Sequence, residues 1–343
     1  MLKKLKIIMS KFNINKLSKV FIIAEIGVNH EGSLEKCKKL IKLAAKAGAN
    51  AVKIQTVNEE ESYIKSTLAY KAFKKKNFSD HQLLEIKKYS RINKILFFST
   101  PGDFESLEKL KKIGTPIIKI SSGLMNHYPL IKKAAKMNVP LIISTGMANK
   151  KDLIELKKYL NKIKFKKYAI LKCTSEYPAK LKNLNLKSLN DLKLIFQSTV
   201  GYSDHTIGTT APVVAVSLGA KIIEKHFTLN SKKKGLDHKI SLEYKDFKLM
   251  VKQIREVEKM LGSKNFYLPK TLSSTRKLSR RYLYTKTNIK KGELFNSQNI
   301  SFKRTNKNNN GLDPKNFFLF LNNRSKFNLK KDTLLNFFFL NTK

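Results

Sequence analysis

The sequence predicts an α/β protein, namely a (β/α)8 barrel followed by a smaller second unit. Eight short apolar runs alternate with segments of helical period over about 260 residues, which matches the number and length that such a barrel requires. The helical period and the apolar runs are then lost after residue 262. A doubly wound sheet of eight strands is the structural alternative, and the repeat count and length favour the barrel.

The predicted strands are continuous apolar runs rich in β-branched and aromatic residues, as is typical of strands buried on both faces. They are Val20–Ile26, Ala51–Thr56, Ile95–Thr100, Ile117–Ser122, Leu141–Thr145, Ala169–Thr174, Thr199–Ser203 and Lys221–Thr228. A helix is expected over 33–47, with Ser33 as its N-cap and Gly48 as its C-cap. Further helices are predicted over Phe104–Ile113, Leu130–Met137 and Leu242–Leu261, the last ending at Gly262.

The chain is strongly basic, with 70 Lys and Arg against 25 Asp and Glu and a net charge of +45. This charge is spread along the chain rather than concentrated in an arm, and no nucleic-acid-binding signature accompanies it. We therefore expect a solvated basic surface and no specific nucleic-acid partner. No apolar run approaches the length of a membrane span.

Four segments are expected along the chain. Residues 1–17 predict a loosely attached basic extension, with the true start at Met1 or Met9, and residues 18–262 predict the barrel. A linker over 263–281 leads to a small, loop-rich unit over 282–343. Only two cysteines are present, which indicates a reducing compartment and a cytoplasmic location.

Polar residues collect at the carboxyl ends of the predicted strands, where the active site of such a barrel lies. Alternation places Lys53 with Gln55 on one face of the second strand, and Glu224 with His226 on one face of the eighth. The other polar residues near the strand ends include Glu25, Thr100, Lys119, Ser122, Ser144, Ser175, Tyr177, Ser203, Asp204 and His205.

These residue types indicate particular chemistry. Two lysines among Ser and Thr hydroxyls suit a carboxylate or phosphate, and a lysine inside an apolar strand calls for an anionic partner. Two histidines on adjacent strand ends, His205 and His226, can bind a divalent metal, although a purely structural role is equally common for such a pair. Glu25 and Asp237 can act as an acid or a base.

At these residues the sequence resembles the N-acetylneuraminate (sialic acid) synthase family. The matching motifs are AEIGVNHEG (24–32), VKIQT (52–56), FSTP (98–101), KISSG (119–123), NHYPLI (126–131), STGM (144–147), CTSEYP (173–178), GYSDHTIG (201–208), EKHFT (224–228) and GLDH (235–238). The second unit resembles the antifreeze-like (SAF) domain of that family through RRYLY, NIKKGELF and Lys303–Arg304.

The resemblance implies a TIM barrel with an antifreeze-like domain, assembled as a domain-swapped homodimer. The implied reaction joins phosphoenolpyruvate (PEP), an open-chain N-acylated hexosamine and water into a nine-carbon 2-keto acid, with release of phosphate. A divalent metal, Mn²⁺ or Mg²⁺, is the implied cofactor.

The resemblance also implies roles for individual residues. His205 and His226 match the metal ligands, while Glu25 and Asp237 match catalytic carboxylates near the sugar carbonyl and the metal. Arg304 matches an arginine that reaches the partner subunit's site. The PEP-binding positions are matched by Lys53, Thr100, Lys119, Ser122, Ser144, Ser175 and Ser203, and the sugar-contacting positions by Gln55 and Tyr177.

Three alternatives stay open at this point. The acceptor branch is expected to be sialic or legionaminic, with the pseudaminic branch as the runner-up. A related synthase acting on a sugar phosphate is disfavoured by the lack of arginines at the strand ends. An impaired barrel that binds anionic partners such as RNA is the third, and Leu124, where the family usually has an acidic residue, bears on it.

Overall fold

A computed structural model of the chain describes residues 13–263, 265–305 and 311–341. It separates into two compact units, Met1–Gly262 and Ser263–Lys343. The first is a closed barrel of eight parallel strands in chain order, as the sequence predicts. The strands are β1 (Phe21–Gly27), β2 (Ala51–Thr56), β3 (Leu96–Pro101), β4 (Ile118–Ile120), β5 (Leu141–Ser144), β6 (Tyr168–Cys173), β7 (Thr199–Asp204) and β8 (Ile222–His226).

Helices cover the outside of the barrel. The first, Leu34–Ala47, begins at Ser33, whose side chain accepts from the Lys36 backbone N–H, and ends at Gly48 in the left-handed conformation (φ 93°). Both predicted caps are confirmed. The remaining helices of this unit are Glu59–Ser62, Leu68–Phe73, Asp80–Ile92, Phe104–Lys112, Tyr128–Lys136, Lys150–Lys162, Leu189–Phe196, Thr210–Ser217 and Tyr244–Leu261.

The inside of the barrel has two layers. Its amino-terminal half is apolar, because the inward residues there form one hydrophobic cluster. The same inward faces turn polar toward the carboxyl ends of the strands. On β1 the order is Phe21, Ile23, Glu25, and on β8 it is Ile222, Glu224, His226. The fold therefore collects the polar side chains on a closed apolar floor.

The start of the described chain differs from the expectation of a loosely attached extension over residues 1–17. Ile14 is only 2% exposed and joins the apolar cluster inside the barrel, with Leu17 packed against it. Burial of this side chain stabilises a segment that composition alone describes as basic and polar. The rest of the predicted extension, residues 1–12, lies outside the described residues.

The second unit has its own core. Strands β9 (Tyr282–Thr285) and β10 (Ile300–Lys303) pair antiparallel, and helix Phe317–Phe320 adds Phe320 to a buried cluster that includes Leu283, Phe295 and Leu335. A short helix, Ser273–Ser279, forms within the segment predicted as a linker. In the described parts of both units, no helix is long and apolar enough to cross a membrane.

Gly201 of β7 provides a test of barrel packing. A Cβ atom added there would lie 2.6 Å from Leu171 Cδ2, 2.7 Å from Ile222 Cβ and closer still to the Ile222 carbonyl oxygen. We expect Gly201→Ala to lower the free energy of unfolding by about 3 kcal/mol, because a backbone atom of the neighbouring strand cannot move aside. Denaturant unfolding measures this loss.

The matched control is Gly123→Ala, since a Cβ atom at Gly123 would meet no atom within 4 Å. Its free energy of unfolding should stay within about 0.5 kcal/mol of the wild-type value. Equal stability of the two variants would show that β7 and β8 are not packed as described.

Candidate active site

Lys53 lies at the centre of one half of the polar layer. Its Nζ is 2.7 Å from Glu25 Oε2 and donates to Thr100 Oγ1 at 3.0 Å. Gln55 donates from Nε2 to Glu25 Oε1 at 3.2 Å. These four predicted site residues meet because Glu25 pairs with Lys53 across β1 and β2, and Gln55 pairs with Thr100 across β2 and β3.

Lys119 organises the other half. Its Nζ donates to Ser144 Oγ at 2.7 Å and lies 3.5 Å from Glu224 Oε1. The same Glu224 oxygen accepts from Ser203 Oγ at 2.9 Å. The second carboxylate oxygen, Glu224 Oε2, lies 3.8 Å from Lys53 Nζ.

Glu224 is thus a site residue that the sequence analysis did not assign. It joins the two lysines and a serine from three different strands. The signal available in the sequence was its place two residues before His226 on the same face of the strand. Its contacts with Lys53 and Lys119 depend on barrel closure, which no local pattern shows.

Burial and charge oppose each other in this layer. Burial raises the pKa of Glu25 to about 7, against the attraction of Lys53. Burial would also raise the pKa of Glu224, but Lys119 and Lys53 outweigh it and lower that pKa. Burial lowers the pKa of Lys119 despite the nearby Glu224. Among the three, Glu25 is thus the group whose pKa burial brings close to neutral pH.

Gly146 is in the turn after β5, and the side chains of Ser122 and Ser175, which follow β4 and β6, lie beside it. The Gly146 backbone N–H donates to Ser122 Oγ at 2.8 Å. A Cβ atom at Gly146 would lie 2.7 Å from Ser122 Oγ, 3.0 Å from Cys173 Sγ and closer still to Ser175 Oγ. The glycine thus leaves room for two hydroxyls to converge above the buried Cys173.

His205 and His226 face each other at the ends of β7 and β8, with ring centroids 5.4 Å apart. The His205 Nδ1 lies 2.8 Å from the Thr174 carbonyl oxygen, so this nitrogen carries the proton and Nε2 has the free lone pair. Tyr177 stacks on His205 at 4.2 Å. Both histidines are buried, whereas Tyr177 is 53% exposed.

Asp237 completes this side of the site. Its Oδ2 lies 3.7 Å from His226 Nδ1, and burial raises the pKa of the carboxyl group. Burial and the cationic groups around it lower the pKa of His226 well below its ordinary value. The buried His226 Nδ1 has no hydrogen-bond partner among the described residues.

The histidine pair fits a divalent metal that takes its other ligands from substrate and water. A metal binds the neutral imidazole, and the unpartnered buried nitrogen of His226 is such a group. In the described ranges, no group of three or more His, Cys, Asp or Glu side chains is arranged to hold a metal. If the protein supplied only these two histidines as ligands, the other coordination positions of the metal would be available to substrate and water.

Two positions singled out in the sequence make none of the contacts described above. Arg304 is exposed in the second unit, and its role at a partner subunit's site stays a prediction. Leu124 is in the turn Ser122–Leu124 and packs, partly buried, against the core between barrel and helices. An acidic side chain at Leu124 would therefore meet an apolar surface.

Glu31 ties the loop after β1 to the loop that carries Asp237. It forms ion pairs with Lys36 and Lys233, and its Oε1 lies 3.4 Å from His238 Nε2. Partial burial would raise the pKa of Glu31, but hydrogen bonds from Lys233 and Lys36 outweigh it and lower the pKa to about 2.

This shift predicts how stability depends on pH. A carboxylate whose pKa is lowered by folding stabilises the protein at every pH above the ordinary glutamate pKa. For Glu31 this contribution is lost as the pH falls from about 5 to about 2. At pH 7 we expect Glu31→Gln to cost about 1 kcal/mol after allowance for solvent screening, and to cost nothing near pH 2. Urea unfolding across this pH range measures the difference.

Glu61→Gln is the control, because Glu61 is exposed on the short helix Glu59–Ser62. At pH 7 the unfolding free energy of this variant should lie within about 0.5 kcal/mol of the wild-type value. A Glu31→Gln curve parallel to wild type down to pH 2 would contradict the ion-pair assignment.

The chain is similar to several known proteins. A profile of the NeuB family matches residues 40–266. The N,N'-diacetyllegionaminic acid synthase of Campylobacter jejuni is 39% identical, covering 93% of this chain and 99% of its own length. The pseudaminic acid synthase of the same organism is 38% identical, covering 88% and 91%.

A solved structure is similar as well. The crystal structure of N-acetylneuraminic acid synthetase from Leptospira borgpetersenii, in complex with citrate, aligns with a TM-score of 0.74 and 34% identity. It covers 78% of this chain and 93% of its own. The NeuB profile matches most of the barrel, and the legionaminic acid synthase is 39% identical over 99% of its own length. This chain therefore belongs to the NeuB family.

Proposed function

We propose that this chain condenses PEP with an open-chain N-acylated hexosamine and water, to give a nine-carbon nonulosonic acid and phosphate. The observation that carries the proposal is the pair of buried ammonium groups, Lys53 and Lys119, beside two facing histidines at the open end of a barrel. Named relatives that make acids of this class support it.

The two lysines are suited to hold PEP. Each already touches a hydroxyl, Thr100 for Lys53 and Ser144 for Lys119, so an ammonium and a hydroxyl can act together on one anionic group. PEP has two such groups, a carboxylate and a phosphate. Glu224, whose carboxylate oxygens lie 3.8 Å from Lys53 Nζ and 3.5 Å from Lys119 Nζ, favours the charged form of both lysines before PEP arrives.

The reaction forms a bond from C3 of PEP to the sugar aldehyde carbon and adds water at C2. Loss of phosphate by C–O cleavage then leaves the 2-keto acid. Water loses two protons in all: one is balanced by the proton that the aldehyde oxygen gains, and the other leaves with the phosphate as the C2 hydroxyl becomes the keto group. We assign these transfers to Glu25, whose pKa burial raises to about 7, and to Asp237, whose pKa burial also raises from its ordinary value.

His205 and His226 would hold the divalent metal. When bound, Mn²⁺ or Mg²⁺ supplies Lewis-acid polarisation of the sugar carbonyl. Gln55 and Tyr177 lie beside these groups, next to Glu25 and His205 respectively, and are placed to orient the acceptor. Holding both substrates in one barrel supplies proximity.

The acceptor in this proposal has no phosphate group. Residues 18–262 contain two arginines, Arg91 and Arg255, and neither follows a strand end. Arg255 instead donates to the Val20 carbonyl at the start of β1, at the opposite end of the barrel. This proposal assigns both buried lysines to PEP, and neither barrel arginine is at a strand end to bind a second phosphate through two hydrogen bonds.

The first experiment supplies PEP, Mn²⁺ and one acceptor to the purified protein. The acceptors are N-acetylmannosamine, its 6-phosphate, the 2,4-diacetamido-6-deoxy analogue, and none. Sugar-dependent phosphate release with the mass of a nine-carbon keto acid is expected, and the better of the two unphosphorylated sugars names the branch. Faster turnover of the 6-phosphate, or phosphate release without sugar, would overturn the proposal.

Lys119→Met tests the anion cradle. Methionine fills the space without the charge, so we expect kcat/KM for PEP to fall by about 10³-fold or more, since a buried charge on the reacting anion is removed. Lys157→Met is the matched control, because Lys157 is a half-buried lysine that donates to Tyr168 Oη and to the Phe196 carbonyl oxygen, at the amino-terminal end of β6. Equal losses in both variants would show that Lys119 acts only through folding.

A further inference from the structure

An ion pair lies behind the histidines, on the outer side of the barrel wall. Asp204 Oδ2 and Lys225 Nζ are 2.6 Å apart, and both side chains are fully buried. Asp204 alternates with Ser203 and His205 along the chain, and Lys225 alternates with Glu224 and His226. The ion pair therefore points away from the site, toward the helices, while its neighbours point into it.

Each carboxylate oxygen of Asp204 accepts two hydrogen bonds. Asp204 Oδ1 accepts from Tyr202 Oη at 2.9 Å and from the Thr206 backbone N–H at 3.0 Å. Asp204 Oδ2 accepts from Thr206 Oγ1 at 3.0 Å as well as from Lys225. Lys225 also donates to the Thr206 carbonyl oxygen. The network holds the residues before and after His205 and the residue before His226.

Stability alone does not explain such a group. Burying an ion pair costs several kcal/mol of desolvation, and apolar residues of similar volume often serve a fold as well or better. The network does have a geometric consequence. Asp204 and Lys225 are register partners across β7 and β8, so the side chains cross-link the two strands at the last position before each histidine.

We propose that Asp204 and Lys225 are positioning residues that set the distance and orientation of His205 and His226 for a divalent metal. The inference rests on the proposed function, because it takes the histidine pair as the metal ligands. Two imidazoles on separate strands bind one ion only if their ring separation is maintained. The outward ion pair supplies this constraint without occupying the substrate space.

The experiment measures Mn²⁺ binding to the full chain by electron paramagnetic resonance of the free ion, and PEP binding by calorimetry. In the double variant Asp204→Asn, Lys225→Met both charges are removed together, so no unpaired charge is left buried. We expect the Kd for Mn²⁺ to rise about tenfold or more, as when groups that orient metal ligands are lost. The Kd for PEP alone should change less than about twofold.

The matched control is Arg255→Met, Glu258→Gln. This ion pair, 2.8 Å long, holds the Val20 backbone at the start of β1, at the other end of the barrel. The control should lower the unfolding temperature without changing the Kd for Mn²⁺. A similar loss of Mn²⁺ affinity in the control, or wild-type affinity in the folded double variant, overturns the positioning role.

A milder variant keeps the test decisive if the double variant does not fold. Thr206→Val removes one hydroxyl that donates to Asp204 and leaves both charges paired. A rise in the Kd for Mn²⁺ of about threefold is expected, with no change for PEP. Wild-type Mn²⁺ affinity in Thr206→Val overturns the inference. Failure of the proposed metal site looks different, because wild-type protein itself would then bind no Mn²⁺.

Discussion

The site depends on how two ammonium groups are kept charged inside a barrel. Lys53 and Lys119 are almost fully buried, and an unpaired ammonium there would cost several kcal/mol or lose its proton. Glu25 and Glu224 prevent this by pairing with them. If an anionic substrate binds the lysines, it competes with these carboxylates for the same ammonium groups. Glu25 can then take up a proton, because burial raises its pKa to about 7.

The closed barrel makes this arrangement possible. The inward residues in the amino-terminal half of its strands form an apolar cluster beneath the site. Charges next to this cluster interact strongly, because the local dielectric constant is low. Consecutive strands are neighbours in the barrel, and closure pairs β1 with β8. Glu25 on β1 is therefore in register with Lys53 on β2 and with His226 on β8. The anion cradle and the histidine pair thus occupy neighbouring sectors of one ring.

The two sides of the site differ in charge. One side combines lysines and hydroxyls, which suits an anion, and the other combines two imidazoles with Asp237, which suits a cation. The overall charge of +45 lies outside this division, since the exposed lysines are spread along the chain.

Much of the fold and part of the site follow from the sequence alone. Continuous apolar runs predicted all eight strands within about two residues at either end, and cap residues predicted both ends of helix Leu34–Ala47, because these signals are local. Alternation and strand-end position likewise identified Lys53, Lys119, His205 and His226 as site residues. Only the tertiary structure assigned Glu224 as the link between the lysines, and the outward pair Asp204–Lys225 as a cross-link of β7 and β8. The burial of Ile14 in the apolar cluster inside the barrel is likewise visible only in the tertiary structure. These contacts join residues distant in the chain, and their partners are set by barrel closure and register rather than by any local pattern.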